Sequence, residues 1–187
     1  MTGRARAACL VLAGVLSPAA AAATEPYSVE GPGRTPCADH AASTDARARD
    51  RVGSWLTGYL TAHQRLMPDT FDLTPWQTPS ILLGLLDQYC AANGTATVED
   101  GARELVAYLA PRAMSEPARA VAVGEADAFV LVYEPVLHDI RARLSDRGHP
   151  PGASARSLAE ALRAYQKTMG LNPTGLPDQA TLVLLME

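Results

Sequence analysis

The side chains best suited to nucleophilic or metal chemistry are four histidines and three cysteines, and their spacing gives them few partners. A zinc site needs three or four ligands at defined spacing. The chain has no His-x-x-x-His, no His-Glu-x-x-His and no Cys-x-x-Cys. His40 follows Cys37 by three positions, without a further ligand at that spacing. His63 continues an apolar helical face and reads as a packed histidine, and His138-Asp139 reads as a helix-surface pair. No Gly-x-Ser-x-Gly is present, and Ser54 and Ser157 stand beside no base. The carboxylates are spread along helix starts and faces, and a small helical domain offers little cleft for a catalytic acid pair. No enzyme, cofactor or metal is expected.

Three aromatic residues could stack on sugar rings if exposed. Trp55 and Tyr59 share an apolar helix face and read as core. Trp76, between Pro75 and Gln77 in a loop, stays open between the two readings.

The elements that would carry these residues begin after a leader. Arg4 and Arg6 precede an apolar run, Ser17-Pro18 breaks it, and the alanines at 19–23 offer cleavage sites. This pattern predicts a signal peptide at 1–23. The apolar run is too short to span a membrane. Leu12-Ala13-Gly14 is followed by Val15, so lipid anchoring is not expected, and no membrane anchor should remain after cleavage. Removing 23 of 187 residues leaves 164, and losing two arginines moves the formal charge from −4 to about −6. A mildly acidic chain without a basic patch argues against nucleic acid and anionic lipid as partners. Cys37 and Cys90 survive cleavage, and an even pair in an oxidising compartment predicts a disulfide.

Residues 24–36 are rich in Pro, Gly and polar types and read as a flexible lead-in. Val52, Trp55, Leu56, Tyr59, Leu60 and His63 mark one face of a helix starting near 45–51. Residues 69–76 form a loop with large apolar anchors that should pack on the body. Thr78 and Pro79 open a second helix with Ile81, Leu82, Leu85, Leu86, Tyr89 and Cys90 on its apolar face. Thr97 caps a third, with Glu99 and Asp100 at its positive end and Leu105, Val106 and Leu109 inward. Residues 111–133 read as a connector, with 113–126 a linker holding a short helix. Phe129 to Tyr133 is either a strand or the first turns of a helix broken by Pro135.

In the last stretch, Leu158, Leu162, Tyr165 and Met169 share a helical face. Gly170 suits a left-handed cap followed by its apolar contact Leu171. Asn172-Pro173-Thr174-Gly175 is turn chemistry, and Asp178 can cap a final helix with Leu182 and Leu185 inward.

Two resemblances overlay this reading. Tyr165-Gln166, Gly170-Leu171 and then Thr174-Gly175-x-x-Asp178-x-x-Thr181-Leu182 resemble the second half of the type 1 peptidoglycan-binding domain. The helix carrying Val136, Leu137, Ile140 and Leu144, with Gly148-His149-Pro150-Pro151-Gly152, is similar to the first half, so the likeness covers 134–187. It implies a three-helix module with the glycines, Tyr165, Leu182 and Asp178 architectural. It implies ligand contacts from Gln166, Asn172, Thr174 and Thr181, neutral groups suited to amides and hydroxyls. Residues 37–110, with Cys37-x-Asp39, the run from Trp55 to Ala62 and Tyr89-Cys90 before Ala-Asn-Gly, look like the HdeA/HdeB-like family of small periplasmic proteins, which includes acid-stress chaperones.

The expected fold is all-α, a disulfide-tied helical domain followed by the three-helix module. The expected function is non-catalytic binding of peptidoglycan by an exported protein, periplasmic or wall-associated, with an envelope protein as a second partner. The alternative is an HdeA-like acid-stress chaperone or an inhibitor of an envelope enzyme.

Overall fold

The computed structural model describes residues 27–125 and 127–186, so the expected leader at 1–23 and Cys9 lie outside the described residues. The helices are α1 (Cys37–Ala42), α2 (Ala46–Leu66), α3 (Pro79–Ala92), α4 (Val98–Leu109), α5 (Glu134–Asp146), α6 (Ala155–Thr168) and α7 (Gln179–Met186). Between α4 and α5 lie two antiparallel strands, β1 (Ala120–Glu125) and β2 (Ala128–Tyr133). The all-α class holds, with this small hairpin as its one sheet among the described residues.

Two of the early helices, α2 and α4, begin on side-chain caps, while Thr78 before α3 makes no side-chain cap bond. The Asp45 carboxylate accepts the Arg47 N–H at 2.9 Å and starts α2. At α4 the Thr97 hydroxyl accepts from the Asp100 N–H at 3.2 Å, while the Asp100 carboxylate accepts from the Thr97 N–H at 2.9 Å. This reciprocal capping box satisfies two donors that a helix start leaves open. The Thr97 backbone N–H, and then its hydroxyl, hold the Asp100 carboxyl below the usual carboxylate range. Val52, Leu56 and Leu60 of α2 bury against Leu82 and Leu86 of α3 and Leu105 and Leu109 of α4. Truncating one such fully buried leucine, Leu56 for example, costs about 2–5 kcal/mol. The Cys37–Cys90 disulfide ties α1 to the last turn of α3, with Cα atoms 4.6 Å apart.

Residues 27–36 differ from the flexible lead-in that composition suggested. A 3-10 turn at Gly31–Arg34 lies on α2, and Pro36 bridges to Thr97. A Cβ on Gly33 would come within 2.4 Å of the Trp55 ring, so the glycine lets the backbone lie flat on the indole. The Tyr27 hydroxyl donates to buried Glu99 at 2.7 Å, and Tyr59 donates to the same oxygen at 2.9 Å. Burial, then the bond to Glu99, raises Tyr59 above its ordinary 10.0. Buried His40 sits 2.7 Å from Asp87, whose other oxygen pairs with Arg49.

A second core gathers Val123, Val132, Val136, Ile140, Leu144, Leu158, Leu162, Tyr165, Leu182 and Leu185. The loop before α3 touches both cores: Leu73 is buried in the first and Trp76 packs on the second. The Met114 N–H donates to Asp72 O at 2.8 Å, and Phe71 N–H donates to Met114 O at 2.7 Å. Gln179 at the start of α7 completes the junction. Its Oε1 accepts from Thr78 N–H at 3.2 Å and its Nε2 donates to Trp76 O at 2.8 Å.

The hairpin settles the stretch that the sequence left open. Val121 faces Val132 and Val123 faces Val130 across the ladder. Residues 113–126 contain no helix among those described; β1 takes their last positions. The alternation Ala-Val-Ala-Val has the period of a strand, and β-branched residues suit a half-buried pleat. Helix α5 starts directly after β2, with Pro135 in its first turn where its missing N–H costs nothing. No helix among the described residues is long and apolar enough to cross a membrane.

Candidate functional site

The carboxy-terminal module builds its two loops with one device. At the end of α6, Gly170 (φ 70°) donates to Lys167 O at 3.2 Å and Leu171 N–H donates to Gln166 O at 2.8 Å. At the end of α5, Gly148 (φ 81°) donates to Ser145 O at 3.0 Å and His149 N–H donates to Leu144 O at 2.8 Å. Both are Schellman caps, and both need a residue tolerant of positive φ. The second cap turns His149 inward, its ring meeting Tyr165 edge-on at 5.7 Å. Arg147 then joins the module's parts, donating to the Tyr165 hydroxyl and to Leu185 O, each at 3.2 Å.

The α6–α7 loop closes around Gln166, which has no exposed surface. Its Oε1 accepts from Gly175 N–H at 2.8 Å. Its Nε2 lies 2.9 Å from Leu176 O, 2.9 Å from Thr181 Oγ1 and 3.0 Å from Thr174 Oγ1. The two threonine hydroxyls in turn donate to the two oxygens of Asp178, at 2.8 and 3.0 Å. Asp178 also accepts from Thr181 N–H at 2.9 Å and so caps α7. A fully satisfied buried polar network of this kind fixes one loop conformation.

That conformation shapes a groove of about 230 Å³. Ala155, Ala159 and Arg163 of α6 form one side, Thr174, Gly175 and Leu176 another, and Val123, Gly124 and Ala128 of the hairpin the third. Two glycines permit the closeness. At Gly175 (φ 77°) a Cβ would lie 2.9 Å from Arg163 Cζ, and at Gly124 (φ 140°) one would lie 2.1 Å from Ala128 O. Arg163 is exposed and makes no ion pair or hydrogen bond among the described residues, so its five N–H groups are available to a ligand.

The four residues expected at the site are brought to one loop but not to one surface. Gln166 and Thr181 are interior and hold the loop. Thr174 is half-buried and reaches the groove. Asn172 is exposed at the turn, and its carbonyl accepts from Thr174 N–H at 2.9 Å. Arg163 and the hairpin wall escaped sequence reasoning. An arginine on the outer face of a helix carries no signal until a loop folds over it. Of the aromatic residues, Trp55 and Tyr59 pack together on the first core with rings 5.0 Å apart.

Residues 136–185 match the family described as "Putative peptidoglycan binding domain". No curated protein and no solved structure matches the chain significantly. The family match does not reach residues 37–110, and the likeness of that part to HdeA/HdeB-like proteins gains no support from it. The stretch from α5 to α7 is thus similar to a peptidoglycan-binding domain, a helical binding module and not a catalytic one.

Proposed function

We propose that this protein is an exported, non-catalytic component of the bacterial envelope that attaches to peptidoglycan through its carboxy-terminal module. The observation that carries the reading is the family match over residues 136–185. The groove beside the α6–α7 loop is the contact surface in this reading. Its small apolar floor at Ala155 and Ala159 suits the methyl of an N-acetyl group, and the Arg163 guanidinium suits its carbonyl. Gln166 and Thr181 act behind the surface by fixing the loop, while Thr174 lines the groove and Asn172 stands exposed at the turn before it. The two cores act as two domains, a wall-binding one and a disulfide-tied one held beside it to engage an envelope protein.

The test is an NMR titration of the mature protein with the disaccharide N-acetylglucosamine–N-acetylmuramic acid. Shifts confined to Ala155, Ala159, Arg163 and residues 174–176, and lost in Arg163→Glu, support the reading. No shift at the groove overturns it as the sugar-contacting surface.

A further inference from the structure

We propose that the cleft between the two helical units is a second recognition site, for a short peptide carrying both a free amine and a free carboxylate. The inference rests on the wall-binding reading, because the unlinked stem peptide of peptidoglycan has this charge pattern.

The cleft is about 580 Å³, more than twice the groove and within the range of small-ligand sites, which favour domain junctions. Its walls are fixed without a ligand. Gln179 binds both Trp76 O and Thr78 N–H, and Met114 pairs with Asp72. Trp76 and Met114 supply apolar surface. Arg112 and Arg143 line the same space as Glu116 and Asp139.

The charges are arranged to meet something other than each other. The Arg112 guanidinium lies 4.5 Å over the Tyr108 ring and donates to Tyr108 O at 2.9 Å. Arg143 donates to Leu185 O at 3.4 Å. Both guanidinia are held by main-chain carbonyls and keep further N–H groups for a carboxylate. Among the described residues neither Glu116 nor Asp139 forms an ion pair. A simple anion would meet two carboxylates in this cleft and a simple cation two guanidinia. A zwitterionic chain can satisfy both signs, and a neutral sugar would use neither. Trp76, Arg112 and Met114 lie outside the matched residues 136–185, so the cleft depends on both units.

The experiment is calorimetric titration of the mature protein with synthetic N-acetyl-L-Ala–γ-D-isoglutaminyl–L-Lys–D-Ala, which carries one free amine and one free carboxylate, with sacculus binding measured in parallel. Two blocked forms, acetylated on the lysine amine or amidated at the carboxy terminus, serve as comparisons on the wild-type chain. Asp139→Asn and Arg112→Gln alter exposed side chains outside both cores, and their thermal midpoints confirm folding. Loss of one charge-assisted contact should weaken the open peptide roughly tenfold in each variant, and each blocked peptide should bind the wild type roughly tenfold less tightly. Equal affinity for open and blocked peptides, or no binding of the open peptide, overturns the proposal. If sacculi still bind in that case, the cleft proposal fails alone; if they do not, the wall reading fails with it.

Discussion

Replacing Gln166 by leucine isolates the role of the buried network with little change in side-chain volume. The variant removes both polar atoms from a side chain with no exposed surface. The buried Gly175 N–H then loses its acceptor, and Leu176 O loses its donor. Thr174 and Thr181 keep Asp178, so their loss is smaller. One orphaned buried donor costs about 1–3 kcal/mol and each lost neutral bond about 1 kcal/mol, which places the total near 3 kcal/mol. In a module of this size that lowers the thermal midpoint by about 10 °C or more. Circular dichroism at 222 nm on the full chain reads the change, with Asn172→Leu as the comparison because Asn172 is exposed. Gln166→Leu should lower the midpoint and weaken wall binding, and Asn172→Leu should leave the midpoint in place. A midpoint for Gln166→Leu within about 2 °C of the wild type would refute the claim that this network holds the loop.

Other outcomes follow from the same structure. Gly175→Ala forces a Cβ to within 2.9 Å of Arg163 at φ 77°, and denaturant unfolding should show a loss of about 1–3 kcal/mol. Reducing Cys37–Cys90, or replacing both cysteines by alanine, releases a loop of 53 residues' separation and should cost about 4 kcal/mol by the chain-entropy account, read as a lower urea midpoint. Tyr59 is raised above 10.0 in the folded state, so its contribution is fully present below about pH 10 and is lost as pH rises further. Tyr59→Phe should flatten that alkaline loss, and at neutral pH should cost about 1–2 kcal/mol by removing a donor from Glu99.

Local signals carried much of this fold. The caps at Asp45, Thr97 and Asp178, the glycines at 170 and 175 and the alternating faces of α2, α3 and α6 are set by residues within a few positions of each other. The cysteine pair was legible for a different reason, since only two cysteines lie beyond the expected leader. Long-range facts were not legible. Asp87 meets His40 from 47 residues away, and Gln179 reaches Trp76 from 103 residues away, so no window along the chain contains both partners. The lead-in was misread because Pro and Gly mark both loose chain and chain packed close on an indole; only Trp55 distinguishes them. The four residues expected as ligand contacts gather at one loop, but the sequence did not show which of them face inward. Gln166 and Thr181 have the chemistry of ligand contacts, and their mutual bonds turn that chemistry inward. Arg163, by contrast, acquires its place only when Gly175 lets the loop approach α6.

The most direct test of wall binding is co-sedimentation of the protein with purified sacculi, alongside Arg163→Glu. The exposed side chain makes that substitution compatible with the fold. Wild-type protein should pellet with the sacculi in a saturable manner, and Arg163→Glu should remain largely in the supernatant. Wild-type protein left in the supernatant at every sacculus concentration would contradict the assignment of this module to the cell wall.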